Sequence, residues 1–204
     1  MIAGIDEAGK GSVIGPMVVC VFACEENEIT TLRELGVKDS KKIQKKKREL
    51  IAKELMKRFD YRILVISAKE INRRMETETI NEILRDSCLR LIDEIDAQIF
   101  YIDSFDVNPE RLSKWFKERT SKKVFAIHKG ERYEVVAAAS IIAKYERDRL
   151  IEELKKEFGD FGSGYPSDKK TVEWLKENSN AEIVRRKWKT LLKVNQKRLS
   201  DYAL

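Results

Sequence analysis

Three acidic residues follow short apolar segments, which is the pattern of carboxylates placed at the ends of buried strands. Asp6 and Glu7 come directly after the apolar residues 1–5, and Asp103 comes directly after the apolar residues 99–102. Carboxylate oxygens bind hard divalent cations such as Mg²⁺ or Mn²⁺, whereas zinc prefers His and Cys ligands. Because the chain contains a single His, the sequence favours a magnesium or manganese site over a zinc site.

A glycine turn follows the first two acids, with Gly9, Lys10 and Gly11 in succession. The spacing from Gly4 to Lys10 matches a phosphate-binding loop, but Gly11 stands where that motif requires Ser or Thr, and the two acids would repel a phosphate. The glycines instead indicate that the backbone approaches a ligand closely. Taken alone, the acid pair fits a structural ion pair or a turn equally well.

Three further residues have two interpretations each. Asp106 is either an additional acid of the site or a cap before the helix that Pro109 is expected to begin. Tyr165 lies in a segment with three glycines and a proline, where its ring is either a stacking platform for a sugar or base or a packing anchor. Trp188 has the same two interpretations.

The positive charge of the chain is concentrated in two segments. The formal net charge is +6, but residues 38–48 contain seven basic residues and one acid, and residues 185–198 contain seven basic residues and no acid. The remainder of the chain is therefore acidic. Basic segments on an acidic body are typical of proteins that bind phosphates by releasing counterions, and a solvated helix face is the alternative.

The composition argues against a membrane-spanning protein and against a secreted protein. No apolar run approaches the roughly 18 residues that a membrane-spanning helix needs. The three cysteines, Cys20, Cys24 and Cys88, are an odd number, and the spacing of the first two matches no zinc motif, so we expect them in the core. We therefore expect a reduced, cytoplasmic protein that has no contact with a membrane.

The elements that have to position these residues alternate between strands and helices. Strands are predicted over residues 1–5, 13–24, 61–67, 99–102 and 124–128. Helices are predicted after Ser40, after Thr79, from Pro109 to about residue 119, and over residues 135–158. The helix after Ser40 is expected to bury Ile43, Leu50, Ile51, Leu55 and Phe59. This order predicts an α/β fold with a mixed central sheet flanked by helices.

A glycine-rich segment marks the expected domain boundary. Residues 159–166 contain Gly159, Gly162, Gly164 and Pro166, and only helical patterns follow. We therefore predict a catalytic domain over residues 1–163 and a small helical C-terminal appendage over residues 164–204, which would bind substrate.

Six collinear motifs resemble the type 2 ribonucleases H, known as ribonuclease HII, and particularly their archaeal members. The motifs are GIDEAGKG at 4–11, KDSK at 38–41, YIDS at 101–104, AASIIAK at 138–144, GSGYPSD at 162–168 and WKT at 188–190. The resemblance covers nearly the whole chain. It implies a ribonuclease H-like fold and endonucleolytic cleavage of the RNA strand of RNA–DNA hybrids, including single ribonucleotides embedded in duplex DNA.

The resemblance also implies roles for individual residues. Asp6, Glu7 and Asp103 are similar to ligands of Mg²⁺ or Mn²⁺, which would assist phosphodiester hydrolysis that leaves 5′-phosphate and 3′-hydroxyl ends. The Gly9-Lys10-Gly11 turn is similar to the segment that contacts the ribose 2′-OH and the scissile phosphate. Tyr165 is similar to the ring that stacks on the sugar at the RNA-to-DNA junction.

One motif departs from the family pattern. Where the family usually has His-Lys-Ala-Asp, with a fourth metal-binding Asp, this chain has His-Lys-Gly-Glu at 128–131, and the following segment is one residue shorter. Glu131 is expected to replace that Asp, and Glu134 is the alternative. A monomer is expected. A replication clamp is a candidate partner, although residues 197–204 show no recognisable clamp-binding motif.

Two rival functions stay open on the sequence. A non-catalytic nucleic-acid-binding protein would have the basic segments and Tyr165 but an inert group of acids. A different nuclease or a strand-transfer enzyme would use the same fold, since fold alone does not fix function. Cleavage that depends on a metal ion and on a ribonucleotide distinguishes both from a ribonuclease H.

Overall fold

The computed structural model of the protein describes residues 1–37 and 44–191. Its five strands, β1 (Ile2–Ala8), β2 (Met17–Cys24), β3 (Asp60–Ile66), β4 (Ile99–Asp103) and β5 (Lys123–Ile127), form one sheet in the order β3-β2-β1-β4-β5. β1 runs antiparallel to β2 and parallel to β4, and β4 runs parallel to β5. The predicted mixed central sheet is confirmed.

The helices of the described residues are α1 (Ile29–Glu34), α2 (Lys45–Arg58), α3 (Ala68–Arg74), α4 (Ile80–Asp93), α5 (Pro109–Lys117), α6 (Glu134–Phe158) and α7 (Lys169–Asn178). α5 begins at Pro109 as predicted, because the Asn108 side chain accepts a hydrogen bond from the N–H of Arg111 at 2.8 Å. The sequence analysis missed α1 and α3, which are too short to show a helical period. None of these helices is long and apolar enough to cross a membrane.

Two compact units make up the chain. The first unit contains Met1–Ala8, Val18–Leu64 and Asn81–Glu146, and the second unit contains Gly9–Met17, Val65–Ile80 and Arg147–Leu204. The three predicted acids belong to the first unit, whereas the glycine turn and Tyr165 belong to the second. The predicted boundary between a catalytic domain and a substrate-binding appendage stays a prediction.

Close packing of α6 against β1 holds the core of the first unit. Gly4 is the contact point, because a Cβ on this residue would lie 2.3 Å from the backbone of Val135 and Val136. Small side chains follow at the start of α6, and Ala137, Ala138 and Ala139 are fully buried, as the sequence analysis expected. The first turns of α6 therefore lie directly against the strand that carries Asp6.

The second unit has its own hydrophobic core, which includes two residues that were predicted to be in a strand. Val13 and Ile14 pack with Ile151, Phe161, Leu175, Ile183, Val184 and Leu191. Their N–H groups donate to the Gly164 carbonyl at 2.8 and 3.1 Å. The strand predicted over 13–24 is therefore wrong at its start: Gly15 has a φ of 83° and Pro16 follows, so β2 begins at Met17.

The predicted burial is wrong for one residue of α2. Leu50 is 69% exposed, whereas Ile51 and Leu55 are buried, because residues four apart share a helix face and Leu50 lies beside that face. Phe59 follows the helix and packs against Phe22, with ring centroids 5.3 Å apart. Ser40 and Ile43 lie outside the described residues. Cys20, Cys24 and Cys88 are buried free thiols, which confirms their core placement.

Candidate active site

Asp6 and Asp103 lie next to each other on the parallel strands β1 and β4. The last aligned pair of the two strands is Ile5 and Ile102, so the two acids follow at the same level. Asp6 is only 8% exposed. Burial raises the pKa of Asp6 to about 6, and the negative charge of Asp103 adds to the rise. A buried carboxylate beside a second carboxylate is stabilised by a bound cation.

Two residues of α6 support Asp6. Lys144 Nζ donates to Ser140 Oγ at 2.7 Å, and the Ser140 hydroxyl hydrogen-bonds to the Asp6 carboxylate. This hydrogen bond and the positive charge of Lys144 both act to lower the pKa of Asp6, against the larger effect of burial. Both residues lie in one of the motifs that resemble the family, but neither was assigned a role from the sequence. Their i, i+4 spacing is the signal that places them on one helix face.

Glu7 is brought into the same neighbourhood as Asp6. Its backbone N–H donates to Asp6 Oδ1 at 2.8 Å. Successive side chains of a strand point to opposite faces, yet both carboxylates act on Cys88 of α4. Burial raises the pKa of that thiol, and the charges of Glu7 and then Asp6 raise it further. That both carboxylates reach one site stays a prediction.

A tight turn after β5 holds Asp103. The N–H of Gly130 donates to Asp103 Oδ1 at 2.7 Å, and a Cβ on Gly130 would lie 2.8 Å from the Asp103 Cα. Lys129 adopts a left-handed conformation with a φ of 57°, and a 3-10 turn follows over Gly130–Arg132. Glu131 lies in this turn and is half-buried. It is therefore adjacent to the residue that fixes Asp103.

Glu134, the alternative fourth acid, is in a different environment. It is buried at the start of α6, and its Oε1 accepts a hydrogen bond from Arg33 Nε at 2.6 Å. The side chain of Glu134 is 10% exposed, whereas that of Arg33 is 57% exposed. Glu134 thus already has a cationic partner from α1.

Asp106 is part of a helix-capping arrangement. It accepts hydrogen bonds from the N–H of Asn108 at 3.0 Å and from Arg111 Nη2 at 2.6 and 2.8 Å. The N–H of Asn108 is the main reason that the pKa of Asp106 lies below its ordinary value, and Arg111 adds to the effect. Of its two interpretations, the structure favours the cap.

The donor set fits a hard divalent cation. Asp6, Glu7 and Asp103 offer only carboxylate oxygens, and burial of Asp6 beside Asp103 gives a cation a reason to bind there. Within residues 1–37 and 44–191, no three Asp, Glu, His or Cys side chains already form a group that could hold a metal ion.

In the second unit, Arg147 packs between the glycine turn and the loop of Tyr165. Gly9 has a φ of 85°, and a Cβ there would lie 2.2 Å from Arg147 Nε. The Arg147 guanidinium lies 4.7 Å from the centroid of the half-buried Tyr165 ring, and its Nη2 donates to the Ser163 carbonyl at 3.3 Å. One buried arginine, which the sequence analysis did not single out, therefore contacts both segments.

Arg185 contacts the same turn and corrects one expectation. Arg185 belongs to a basic segment that was expected to bind phosphates, but it is 0% exposed, whereas its neighbour Arg186 is exposed. Arg185 Nη1 donates to the carbonyls of Gly9 and Lys10 at 2.7 and 3.1 Å. Trp188 packs against the core of the second unit, which favours its packing interpretation.

The chain is similar to known proteins over nearly its whole length. The sequence model of the family described as Ribonuclease HII matches residues 3–191. A Ribonuclease HII of Archaeoglobus fulgidus is 49% identical over 207 residues, which cover 99% of this chain and 100% of that protein. Among solved structures, the PCNA:RNase HII complex from Archaeoglobus fulgidus contains a similar chain, with a TM-score of 0.91, 50% identity, and coverage of 98% of this chain and 100% of that one. Ribonuclease H2 from Pyrococcus horikoshii OT3 has a TM-score of 0.88 and 42% identity, covering 96% of this chain and 97% of that one.

Proposed function

This chain belongs to the ribonuclease HII family and is a ribonuclease H that acts on RNA–DNA hybrids, and from that premise we propose that it also cleaves single ribonucleotides embedded in duplex DNA. The cut lies on the 5′ side of the ribonucleotide and leaves 5′-phosphate and 3′-hydroxyl ends. Single ribonucleotides and the RNA strands of longer hybrids are the two substrates.

The observation that supports metal-assisted hydrolysis is the burial of Asp6 beside Asp103 on adjacent parallel strands. Ribonucleases H depend on a divalent metal ion, and the acids of the first unit suit Mg²⁺ or Mn²⁺. When bound, such an ion activates water and stabilises the charge on the leaving 3′ oxygen. The chain itself supplies the carboxylates, and Ser140 with Lys144 keeps the Asp6 carboxylate in place.

We propose Asp6, Glu7, Asp103 and Glu131 as the metal ligands. Glu131 is preferred to Glu134 because it follows Gly130, whose N–H holds Asp103. The proposed fourth ligand is therefore a Glu in a short turn rather than the Asp of the usual family motif.

Recognition of the ribonucleotide is proposed for the second unit. The Gly9-Lys10-Gly11 turn would contact the ribose 2′-OH, the one group that distinguishes RNA from DNA at a given nucleotide. Only Ala8 separates this turn from Glu7 in the chain. Tyr165 would stack on the sugar at the RNA-to-DNA junction, and the packing of Arg147 against both Gly9 and Tyr165 supports a shared role.

The basic segments are proposed to hold the phosphates of the duplex without reading its sequence. In the described part of these segments, Lys45, Lys46 and Lys47 of α2 are exposed, as are Arg186 and Lys187. Binding through such contacts weakens steeply with salt. Arg185 is excluded from this role because it is buried.

The deciding experiment is cleavage of end-labelled duplex DNA that carries one ribonucleotide, in Mg²⁺, Mn²⁺ or EDTA. We expect metal-dependent nicking by the wild type and by Asp106→Asn, and none by Asp6→Asn. Asp106→Asn is the matched control, since it makes the same change in an acid that serves a helix cap. If the wild type cleaves a long hybrid but not this duplex, the proposed single-ribonucleotide activity is contradicted. Metal-independent binding without cleavage of either substrate would favour the non-catalytic nucleic-acid-binding protein.

Melting in the absence of substrate gives a readout besides activity. Asp6→Asn removes a buried negative charge beside Asp103, so in EDTA it should melt above the wild type. Mn²⁺ should raise the melting temperature of the wild type more than that of the variant, because an ion stabilises the state that binds it. Equal shifts in both proteins would contradict Asp6 as a ligand.

A replication clamp is proposed as a protein partner. The Archaeoglobus fulgidus relative was solved as a PCNA:RNase HII complex, and this chain matches the whole of that relative's ribonuclease chain. Residues 197–204, where the sequence shows no recognisable clamp-binding motif, lie outside the described residues. Gel filtration of the full chain, alone and with an archaeal clamp, tests this partner together with the expected monomeric state.

A further inference from the structure

Arg185 is the largest fully buried side chain of the described residues. Its hydrogen bonds go to the backbone carbonyls of Gly9, Lys10 and Gly15, and its Nη2 has no partner among the described residues. Burial lowers the pKa of the guanidinium, and the nearby Arg147 lowers it further. Because an apolar side chain of similar volume avoids the cost of burying a cation, stability alone does not explain an arginine here.

The carbonyls of Gly9, Lys10 and Gly11 all point towards residues 185–188 of the second unit. Arg185 Nη1 binds the Gly9 carbonyl at 2.7 Å and the Lys10 carbonyl at 3.1 Å. Trp188 Nε1 lies 3.4 Å from the Gly11 carbonyl, and the Trp188 ring centroid lies 5.0 Å from the Arg185 guanidinium. Ser12 also donates to the Gly9 carbonyl, from its N–H at 3.3 Å and its Oγ at 3.0 Å, whereas Arg185 bridges the carbonyls of Gly9 and Lys10.

The orientation of the carbonyls also fixes that of the amide groups. In a planar trans peptide the C=O and N–H bonds point in opposite directions, and the described residues contain no cis peptide. Since the Gly9 carbonyl points at Arg185, the N–H of Lys10 points away from it. The same reasoning applies to the Lys10 carbonyl and the N–H of Gly11.

The turn is accessible to solvent at Gly11. This residue is exposed, and a Cβ built on it would meet nothing within 4 Å. At Gly9, in contrast, Arg147 fills the space where a Cβ would lie. The turn is therefore packed at Gly9 and open at Gly11.

We infer that Arg185 is a positioning residue for ribose recognition: by holding the carbonyls of Gly9 and Lys10, it directs the amides of Lys10 and Gly11 towards the 2′-OH of the substrate. The inference rests on the proposed function, in which this turn contacts the ribose. Donors that are fixed before the substrate arrives avoid the cost of ordering them on binding. Arg185 therefore favours RNA over DNA without touching the nucleic acid.

Arg185→Met and Arg186→Met are the test and its matched control. They remove the same charge from adjacent residues, but Arg186 is exposed and its side chain is not among the groups that hold the turn. The measurement is the affinity for duplex DNA with one ribonucleotide divided by the affinity for the same all-deoxy duplex, in EDTA. We expect Arg185→Met to lower this ratio by roughly tenfold to a hundredfold, the effect of losing charge-assisted hydrogen bonds. Arg186→Met should weaken both affinities equally.

Two further measurements separate positioning from folding. The amide NMR signals of Lys10 and Gly11 should shift in Arg185→Met and stay in place in Arg186→Met. Arg185→Lys keeps the charge and should recover part of the ratio, and it decides the test if Arg185→Met does not fold. A folded Arg185 variant with the wild-type ratio overturns the inference. A wild type that binds both duplexes equally contradicts instead the proposed 2′-OH recognition.

Discussion

The N–H of Gly130 donates to Asp103 Oδ1 at 2.7 Å, in a contact so close that a Cβ on Gly130 would lie 2.8 Å from the Asp103 Cα. The turn after β5 thereby fixes a carboxylate at the end of β4. A side chain at residue 130 therefore does not fit unless Asp103 moves.

Gly130→Ala should therefore impair catalysis. The added methyl group meets backbone atoms of β4 that cannot move aside freely, so Asp103 has to shift. We expect cleavage of a hybrid to fall roughly tenfold to a hundredfold, with a loss of about 1–3 kcal/mol in the free energy of unfolding. Lys129→Gly is the control, since it changes the same turn and removes a strained left-handed residue. Wild-type activity in Gly130→Ala would show that the contact with Asp103 is not needed.

Ser140→Ala should weaken metal binding. The substitution breaks the connection from Lys144 through Ser140 to Asp6, and residues that orient a ligand are worth roughly tenfold to a hundredfold in metal affinity. Calorimetric titration with Mn²⁺ measures the effect. Ser87→Ala is the matched control, because Ser87 is also buried on a helix but donates to the Ile83 carbonyl of its own helix, at 2.7 Å. Equal affinity in the two variants would contradict the role of Ser140.

The lowered pKa of Asp106 predicts that the stability of the fold depends on pH, independently of catalysis. Its pKa in the folded protein is lowered from 3.8, first by the N–H of Asn108 and also by Arg111. A lowered pKa means that the ionised group stabilises the fold above pH 3.8, and that this contribution is lost as the pH falls through the folded-state value. Urea unfolding at pH 7 should show a lower midpoint for Asp106→Asn than for the wild type, and the difference should shrink in acid. A difference that does not change with pH would contradict this assignment.

Much of the carboxylate arrangement could be predicted from the sequence because it depends on the ends of strands. Apolar residues before Asp6 and before Asp103 indicate two buried strands, and parallel pairing brings the acids together. The support of Asp6 by Ser140 and Lys144 could not be predicted with the same certainty. It depends on how α6 packs at Gly4, which is a tertiary contact between distant parts of the chain.

The buried arginines were harder to predict for a related reason. Basic residues are rarely buried, so a count of charges places Arg185 on the surface with Arg186. Its partners are carbonyls of Gly9 and Lys10, far away in the sequence, and backbone acceptors leave no mark on the pattern of side chains. Leu50 illustrates the opposite error, since an apolar side chain beside the buried face of α2 is exposed.

Glu131→Ala and Glu134→Ala should separate the two acids by their effects. Glu131→Ala removes the proposed fourth ligand, so cleavage should fall by roughly a hundredfold or more, as expected for a lost electrostatic contact to the transition state. Glu134→Ala instead removes the buried carboxylate that pairs with Arg33. Because Arg33 is partly exposed and stays hydrated, we expect a cost of about 1 kcal/mol in stability and activity near that of the wild type. Activity and melting measured on both variants decide the assignment: the reverse pattern, with catalysis lost in Glu134→Ala and kept in Glu131→Ala, would make Glu134 the ligand.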